Sequence, residues 1–223
     1  MPQGKLSALQ QRILVVLSPL RPSWTLTGGA ALAGFHTKHR ETRDLDLFFH
    51  HQQDLGSIVS DAAQALKEAG LTVMPVRSSA MFAQLDVRLD AESTIIDLVA
   101  DPTPITEPAQ PMTIGGATIL VETPHQLLVN KLCALLSRSE VRDLIDIRVL
   151  VESGADLPRA LHDCPGQDAG FSPMTFAWGA QSLPLRRIAA SQGWPEPEIE
   201  ALEQFRQGLV ERVMAAARPG ESS

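Results

Sequence analysis

WTLTGGAALAGFHTKHRETRDLDLFF, residues 24–49, decides how this chain is read. Trp24 to Thr27 is apolar and β-branched, as a buried strand requires. Gly28 and Gly29 end that strand; glycine allows positive φ and lets another group approach the backbone closely. Ala30 to Phe35 has the composition of a short helix, and a helix start on a glycine turn is suited to phosphate. Arg43 to Phe49 resumes a strand pattern. Strand side chains repeat every two residues, so Asp44 and Asp46 share one face while Leu45 and Leu47 point into a core. Two carboxylates on one face would repel each other, and burying them is costly. A divalent ion such as Mg²⁺ supplies the missing charge, typically with a carboxylate or two plus substrate phosphates. The plainer alternative is a glycine turn followed by two solvated aspartates.

The order strand, Gly-Gly, short helix, then R-x-T-x-D-L-D-L-F at Arg40, Thr42, Asp44 and Asp46 resembles the nucleotidyltransferase superfamily. Within it, the pattern is most similar to the AbiEii-type nucleotidyltransferases, many of them toxins of toxin–antitoxin pairs. The resemblance implies nucleotide contacts at Gly28, Gly29, Arg40 and Thr42, and Mg²⁺ or Mn²⁺ held by Asp44 and Asp46. The residue after the second glycine is often Ser or Thr in the superfamily. Here it is Ala30, which leaves phosphate contact to backbone N–H groups.

Composition sets the outer bounds. The chain has 223 residues, 44% hydrophobic and 20% charged, with net charge −7 and pI about 5.3. That is an ordinary globular composition with length for one large or two small domains. A protein that grips long nucleic acid over a wide face is usually basic; here any nucleic-acid contact is expected to be local, as with one exposed end. The first residues show no secretory pattern and no run is long enough to cross a membrane, so no membrane partner and a cytoplasmic location are expected. Cys133 and Cys164 are too few for a disulfide framework.

Periodicity predicts a first helix over 6–20, a helix capped by Asp54 and running to about Ala69, and strands over 71–76, 82–89 and 94–99. Residues 101–111 hold four prolines and read as an irregular passage. MTIGGATILV reads as a hairpin turning on Gly115 and Gly116. From Thr123 the pattern is helical: Thr123 to about Leu136, Ser139 to Glu152, Leu157 to Asp163, two short helices, and Pro197 to Ala217. Residues 164–173 read as a mobile loop. The expected architecture is an α/β (α+β) nucleotidyltransferase-type mixed sheet with flanking helices over residues 1–121, then a helical domain over 122–223.

The superfamily carries a further acid on a neighbouring strand, for which Asp86, Asp97 and Asp101 compete. Asp97 is preferred, because a carboxylate between Ile96 and Leu98 needs a reason to be there. The second block, VETPHQLLVNKLCALLSRSEVRDLIDIRVL, resembles the lysine helix and R-D-x-x-D helix of the AbiEii type. It implies functional roles for Lys131, Asp143 and Asp146, with Lys131 on the triphosphate. No acid stands at a favourable helical spacing from Lys131, but a short turn near Ser137 to Ser139 makes the two helices antiparallel neighbours and brings the lysine to the acids. Arg142 and Asp146 are spaced as an i,i+4 pair, which favours Asp143 as the functional acid. A solvated ion pair is the simpler alternative. His36, His39, His50 and His51 match no standard zinc spacing.

The expected reaction is transfer of a nucleoside monophosphate from an NTP to an acceptor hydroxyl. The resemblance points to RNA, including a tRNA 3′ end, as acceptor and to a cognate antitoxin protein as partner. Three alternatives stay open: a small-molecule, antibiotic-type nucleotidyltransferase, a non-catalytic binding protein of the same fold, and an interaction protein working through its last helix.

Overall fold

The computed structural model describes residues 6–103 and 105–217. They form two compact units, dividing after Pro124. The first unit contains α1 (Ala8–Leu17), β1 (Thr25–Thr27) and α2 (Gly28–Ala31), which runs on as a π-helical turn over Leu32–His36. Then come β2 (Asp44–His50), α3 (Ile58–Glu68), β3 (Thr72–Ser78), β4 (Phe82–Leu89), β5 (Glu92–Asp101), β6 (Gln110–Ile114) and β7 (Ala117–Val121). The strands make one mixed seven-stranded sheet in the order β3-β4-β5-β2-β1-β7-β6. The pairs β2–β5 and β1–β7 are parallel and the others antiparallel.

Alternation gives the central strands two different faces. Leu45, Leu47 and Phe49 of β2, Ile96 and Leu98 of β5, and Ala83, Leu85 and Val87 of β4 are all essentially inaccessible to solvent. In α1, Ser7 and Gln10 form a capping box. Leu9, Ile13, Leu14 and Leu17 make its buried stripe. This helix packs against β5 and α3. The opposite face of β2 carries Asp44, Asp46, Phe48 and His50, each only partly buried.

The second unit is helical: α4 (Pro124–Arg138), α5 (Val141–Glu152), α6 (Leu157–Gln167), α7 (Pro173–Ser182), α8 (Leu185–Ser191) and α9 (Glu196–Ala216). In α9, Ile199, Leu202, Leu209 and Val213 are buried, while Phe205 is half-buried.

Several boundaries differ from the sequence expectation, each for a local reason. Asp54 does not cap α3: Leu55 is buried and gives its N–H to Ala80 O, Gly56 turns at φ +44°, and the helix starts only at Ile58. The irregular passage is shorter than 101–111, because β5 continues through Asp101 and β6 opens at Gln110. Pro111 is tolerated there because β6 is an edge strand, where a missing N–H costs least. Pro104 lies outside the described residues. The expected loop at 164–173 is helical as far as Gln167, despite Pro165. Cys164 is fully buried, its thiol directed at Val129 O and its carbonyl met by the Cys133 thiol, so packing on α4 overrides the proline. The Gly115–Gly116 hairpin forms as read, both glycines at positive φ, +53° and +84°.

Because the two sheet faces differ so sharply, Leu47→Ala should lower stability by about 2–5 kcal/mol through the cavity it leaves. Val76→Ala, on the exposed edge strand, should change it by no more than about 0.5 kcal/mol. Urea denaturation checks this; equal losses would contradict the assignment of the core face.

Candidate active site

The site starts at the end of β1. Gly28 has φ +64°, and the place where a Cβ would stand on it is already occupied by the Asp46 carboxylate. A side chain at 28 would therefore be strained twice, by conformation and by collision. At Gly29 the corresponding position is bounded by Arg40 Nη2 at 2.8 Å and Thr42 Oγ1 at 3.3 Å. The glycine pair, Arg40, Thr42 and Asp46 thus meet at the β1–α2 turn. Thr42 also donates its hydroxyl to Asp44 Oδ1 at 3.1 Å, holding that carboxylate at the start of β2. Ala30 is fully buried, so its position offers the turn only backbone.

Strand register brings in the third acid. Asp46 of β2 stands opposite Asp97 of β5, and Asp97 opposite Gln84 of β4. Thr27 of β1 pairs with Asp46 at one side of this row, and Arg77 of β3 pairs with Gln84 at the other. One line across five strands on one face therefore reads Thr27, Asp46, Asp97, Gln84, Arg77. Asp97 accepts a hydrogen bond from Gln84 Nε2 at 2.8 Å. Burial, and then the charge of Asp44, push its carboxyl above the ordinary range, opposed by the Gln84 bond and the charge of Arg77. The competing acids are engaged elsewhere. Arg88 holds Asp86 with two hydrogen bonds, at 3.0 and 2.5 Å. Asp101 lies beside His50 and accepts from Thr103 N–H.

The three acids of the site, Asp44, Asp46 and Asp97, offer only oxygen donors. Among the described residues no three His, Cys, Asp or Glu side chains converge on one metal-sized point. The chain presents instead two acids on one strand and a third beside them, with the charge of Asp44 felt at Asp97. That fits a hard cation such as Mg²⁺, which takes few protein carboxylates and completes its shell with water and phosphate oxygens. Of the histidines near the first block, His36 hydrogen-bonds Glu122 O at 2.8 Å and His39 bonds Thr37 at 2.6 Å.

A second charged cluster lies within the helical unit. Lys131 Nζ of α4 reaches Asp143 Oδ1 at 3.0 Å and Asp146 Oδ2 at 2.9 Å on α5. Both aspartates are fully buried and the lysine nearly so. Arg138 adds a bidentate grip on Asp143, with both nitrogen–oxygen distances at 2.7 Å. The sequence-based pairing of Arg142 with Asp146 does not form. Arg142 is exposed and bonds Glu140 at 2.6 Å, whereas Asp146 faces inward to Lys131. The preference for Asp143 over Asp146 thereby loses its basis, since Lys131 bridges both.

Burial works to raise the Asp143 carboxyl, but Arg138 and Lys131 together hold it below the ordinary carboxylate range. A carboxyl lowered in the folded state stabilises fully above its unfolded pKa, near 4, and loses that contribution as pH falls through the folded value. Asp143→Asn should therefore flatten the acid limb of the stability–pH curve. Lys131→Ala should cost about 3–5 kcal/mol at neutral pH, because it strands buried carboxylates. Thermal melts across pH 2–7 measure both. An unchanged acid limb in Asp143→Asn would contradict the arrangement.

The family described as nucleotidyl transferase AbiEii toxin, type IV toxin–antitoxin system, matches residues 12–216. No curated protein matches the chain. Among solved structures, JHP933 from Helicobacter pylori superposes with a TM-score of 0.55 at 17% identity, covering 94% of this chain and 95% of its own. An antigenic nucleotidyltransferase-like protein from Paracoccidioides brasiliensis gives 0.52 at 15% identity, covering 90% and 94%. At these identities the neighbours speak for the fold alone, a nucleotidyltransferase fold. No helix among the described residues is long and apolar enough to cross a membrane. The family match spans nearly the whole chain and includes both charged blocks: this protein belongs to the AbiEii toxin family and is a nucleotidyltransferase.

Proposed function

We propose that the chain transfers a nucleoside monophosphate from an NTP to the hydroxyl at an RNA 3′ end, such as that of tRNA, with Mg²⁺ or Mn²⁺. The observation that carries this is the row joining the glycine turn to three carboxylates on one sheet face. In the reaction the acceptor oxygen bonds to the α-phosphorus, the bond to the β-phosphate breaks, and pyrophosphate leaves with the electron pair. When bound, Mg²⁺ or Mn²⁺ would supply positive charge to offset that building on the attacking and leaving oxygens. The residues of the chain do the rest. Gly28 and Gly29 let phosphate approach the backbone, and Arg40 and Thr42 flank that approach. Asp44 and Asp46 would hold the metal, and Asp97 would serve as a further ligand or take the acceptor proton; burial, which raises its carboxyl, supports that second role.

Lys131, Asp143 and Asp146 are proposed as the second functional block, on the strength of their likeness to the lysine and R-D-x-x-D helices of the family. Their buried ion bridge is also a structural element in its own right. The family match supports a further reading, that the chain acts as the toxin of a pair and is countered by a cognate antitoxin protein. Expression alone should then slow growth, and the partner should relieve it.

Incubation with labelled NTPs, Mg²⁺ and total RNA tests the transfer. Label on RNA is expected. Label on a small molecule instead would identify a different acceptor class, and no transfer with any NTP would overturn the enzyme's proposed reaction. Asp44→Ala and Asp46→Ala should each abolish transfer while leaving the fold as stable or slightly more so, because clustered negative charge is relieved. Full activity in either variant would remove these residues from the site.

A further inference from the structure

The row across the sheet has a direction. Its β1 end carries the glycine turn, where an NTP triphosphate would lie, and its middle carries Asp46 and Asp97. An acceptor hydroxyl that gives its proton to Asp97 must then approach from the other side, over β4 and β3. Two groups stand there in contact. The Arg77 guanidinium lies over the Phe82 ring, 4.6 Å from its centroid. Both are on the face of the acids, since Arg77 pairs with Gln84, and Phe82 is two residues before Gln84 on the same strand. Arg77 is solvent-exposed and Phe82 only partly buried.

We propose that Arg77 and Phe82 form the acceptor subsite and that it receives the 3′-terminal segment of an RNA, the guanidinium on a phosphodiester and the ring beside a base. The proposal rests on the nucleotidyl-transfer reading above. A guanidinium stacked on an aromatic ring keeps its charge and its donors in a fixed plane, which suits a phosphate more than a flexible ammonium does. Aromatic faces stack bases without regard to sequence. Local charge also discriminates. Of the other acids on this face, Asp86 is already held by Arg88 and Asp101 lies beside His50. Arg77 therefore sets the sign of the approach to Asp97, repelling a polycationic drug and attracting a polyanion. This accommodates an acidic chain, net −7, acting on nucleic acid, because only one end of the RNA needs to be engaged.

The test separates binding from transfer. Filter binding of bulk tRNA without NTP is measured for the wild type, Arg77→Ala, Arg77→Lys and Phe82→Leu. Affinity for ATP with Mg²⁺ is measured by thermal shift on the same proteins. Arg77→Ala should weaken tRNA binding by about tenfold and reduce the salt slope by about one phosphate contact. Arg77→Lys should restore the salt slope but only part of the affinity. Phe82→Leu should weaken binding with the salt slope unchanged. ATP affinity should stay within about twofold throughout, a change worth less than 0.5 kcal/mol. The subsite is overturned if the wild type binds no tRNA, if Arg77→Ala and Phe82→Leu bind it like wild type, or if ATP affinity falls in step with tRNA affinity. If tRNA binding depends on Arg77 and Phe82 but no nucleotide reaches RNA, the subsite stands and the transfer reading fails. If both variants label RNA at wild-type KM, the transfer reading stands and the subsite fails.

Discussion

Everything at the site depends on the contact between Gly28 and the Asp46 carboxylate. Gly28 sits in the left-handed region with no room for a Cβ, because the acid fills that space. The antiparallel pairing of Thr27 with Asp46 ties the end of β1 to β2, two strands joined through a short helical segment and the loop that carries Arg40 and Thr42, and the missing Cβ leaves the acid room against the turn. This pairing fixes where the backbone of the turn lies relative to the first acids. On the proposed reading, a nucleotide's phosphates and a bound metal would need that spacing set in advance, because catalysis by positioned charge loses steeply with small displacements.

The sheet behind the contact supplies the rigidity. Each central strand has one face of fully buried Leu, Ile, Val or Phe and one face carrying polar groups. A one-residue slip of β2 would expose Leu45 and Leu47 and bury Asp44 and Asp46, so the hydrophobic pattern sets the register of the acids. The same logic aligns β5, which is why Asp97 falls beside Asp46. Its cost is visible in the raised Asp97 carboxyl, partly shielded from water and within reach of the charge of Asp44. A group destabilised in its charged form by its own fold is the sort that metal binding or proton transfer can use.

Much of this was legible in the chain. The glycine pair, the alternation of Asp44, Leu45, Asp46 and Leu47, and the apolar setting of Asp97 are local signals, and all lead to the same sheet face. Gln84 was also within reach: β4 and β5 form a hairpin turning at Asp90 and Ala91, and counting outward from it pairs residue 84 with 97. The pairing of β2 with β5 was not legible, since nothing local specifies a parallel partner some fifty residues away. In the helical unit the meeting of Lys131 with Asp143 followed from a short turn. Arg138 was overlooked, although it stands just before the same turn. The i,i+4 reading of Arg142 and Asp146 failed because spacing on a helix says which residues are neighbours, not which of them face the interior. The extension of α6 past Cys164 was hidden by Pro165, whose helix-breaking tendency is outweighed by burial of the cysteine.

The most direct measurement is a crystal structure of the chain with Mn²⁺ and a non-hydrolysable NTP analogue, with the metal located by its anomalous scattering. Manganese should be bound by oxygens of Asp44 and Asp46, as suits a hard divalent ion, and the triphosphate should rest on the backbone of Gly28 and Gly29. A metal bound away from those two carboxylates, or a triphosphate seated off the glycine turn, would contradict this arrangement.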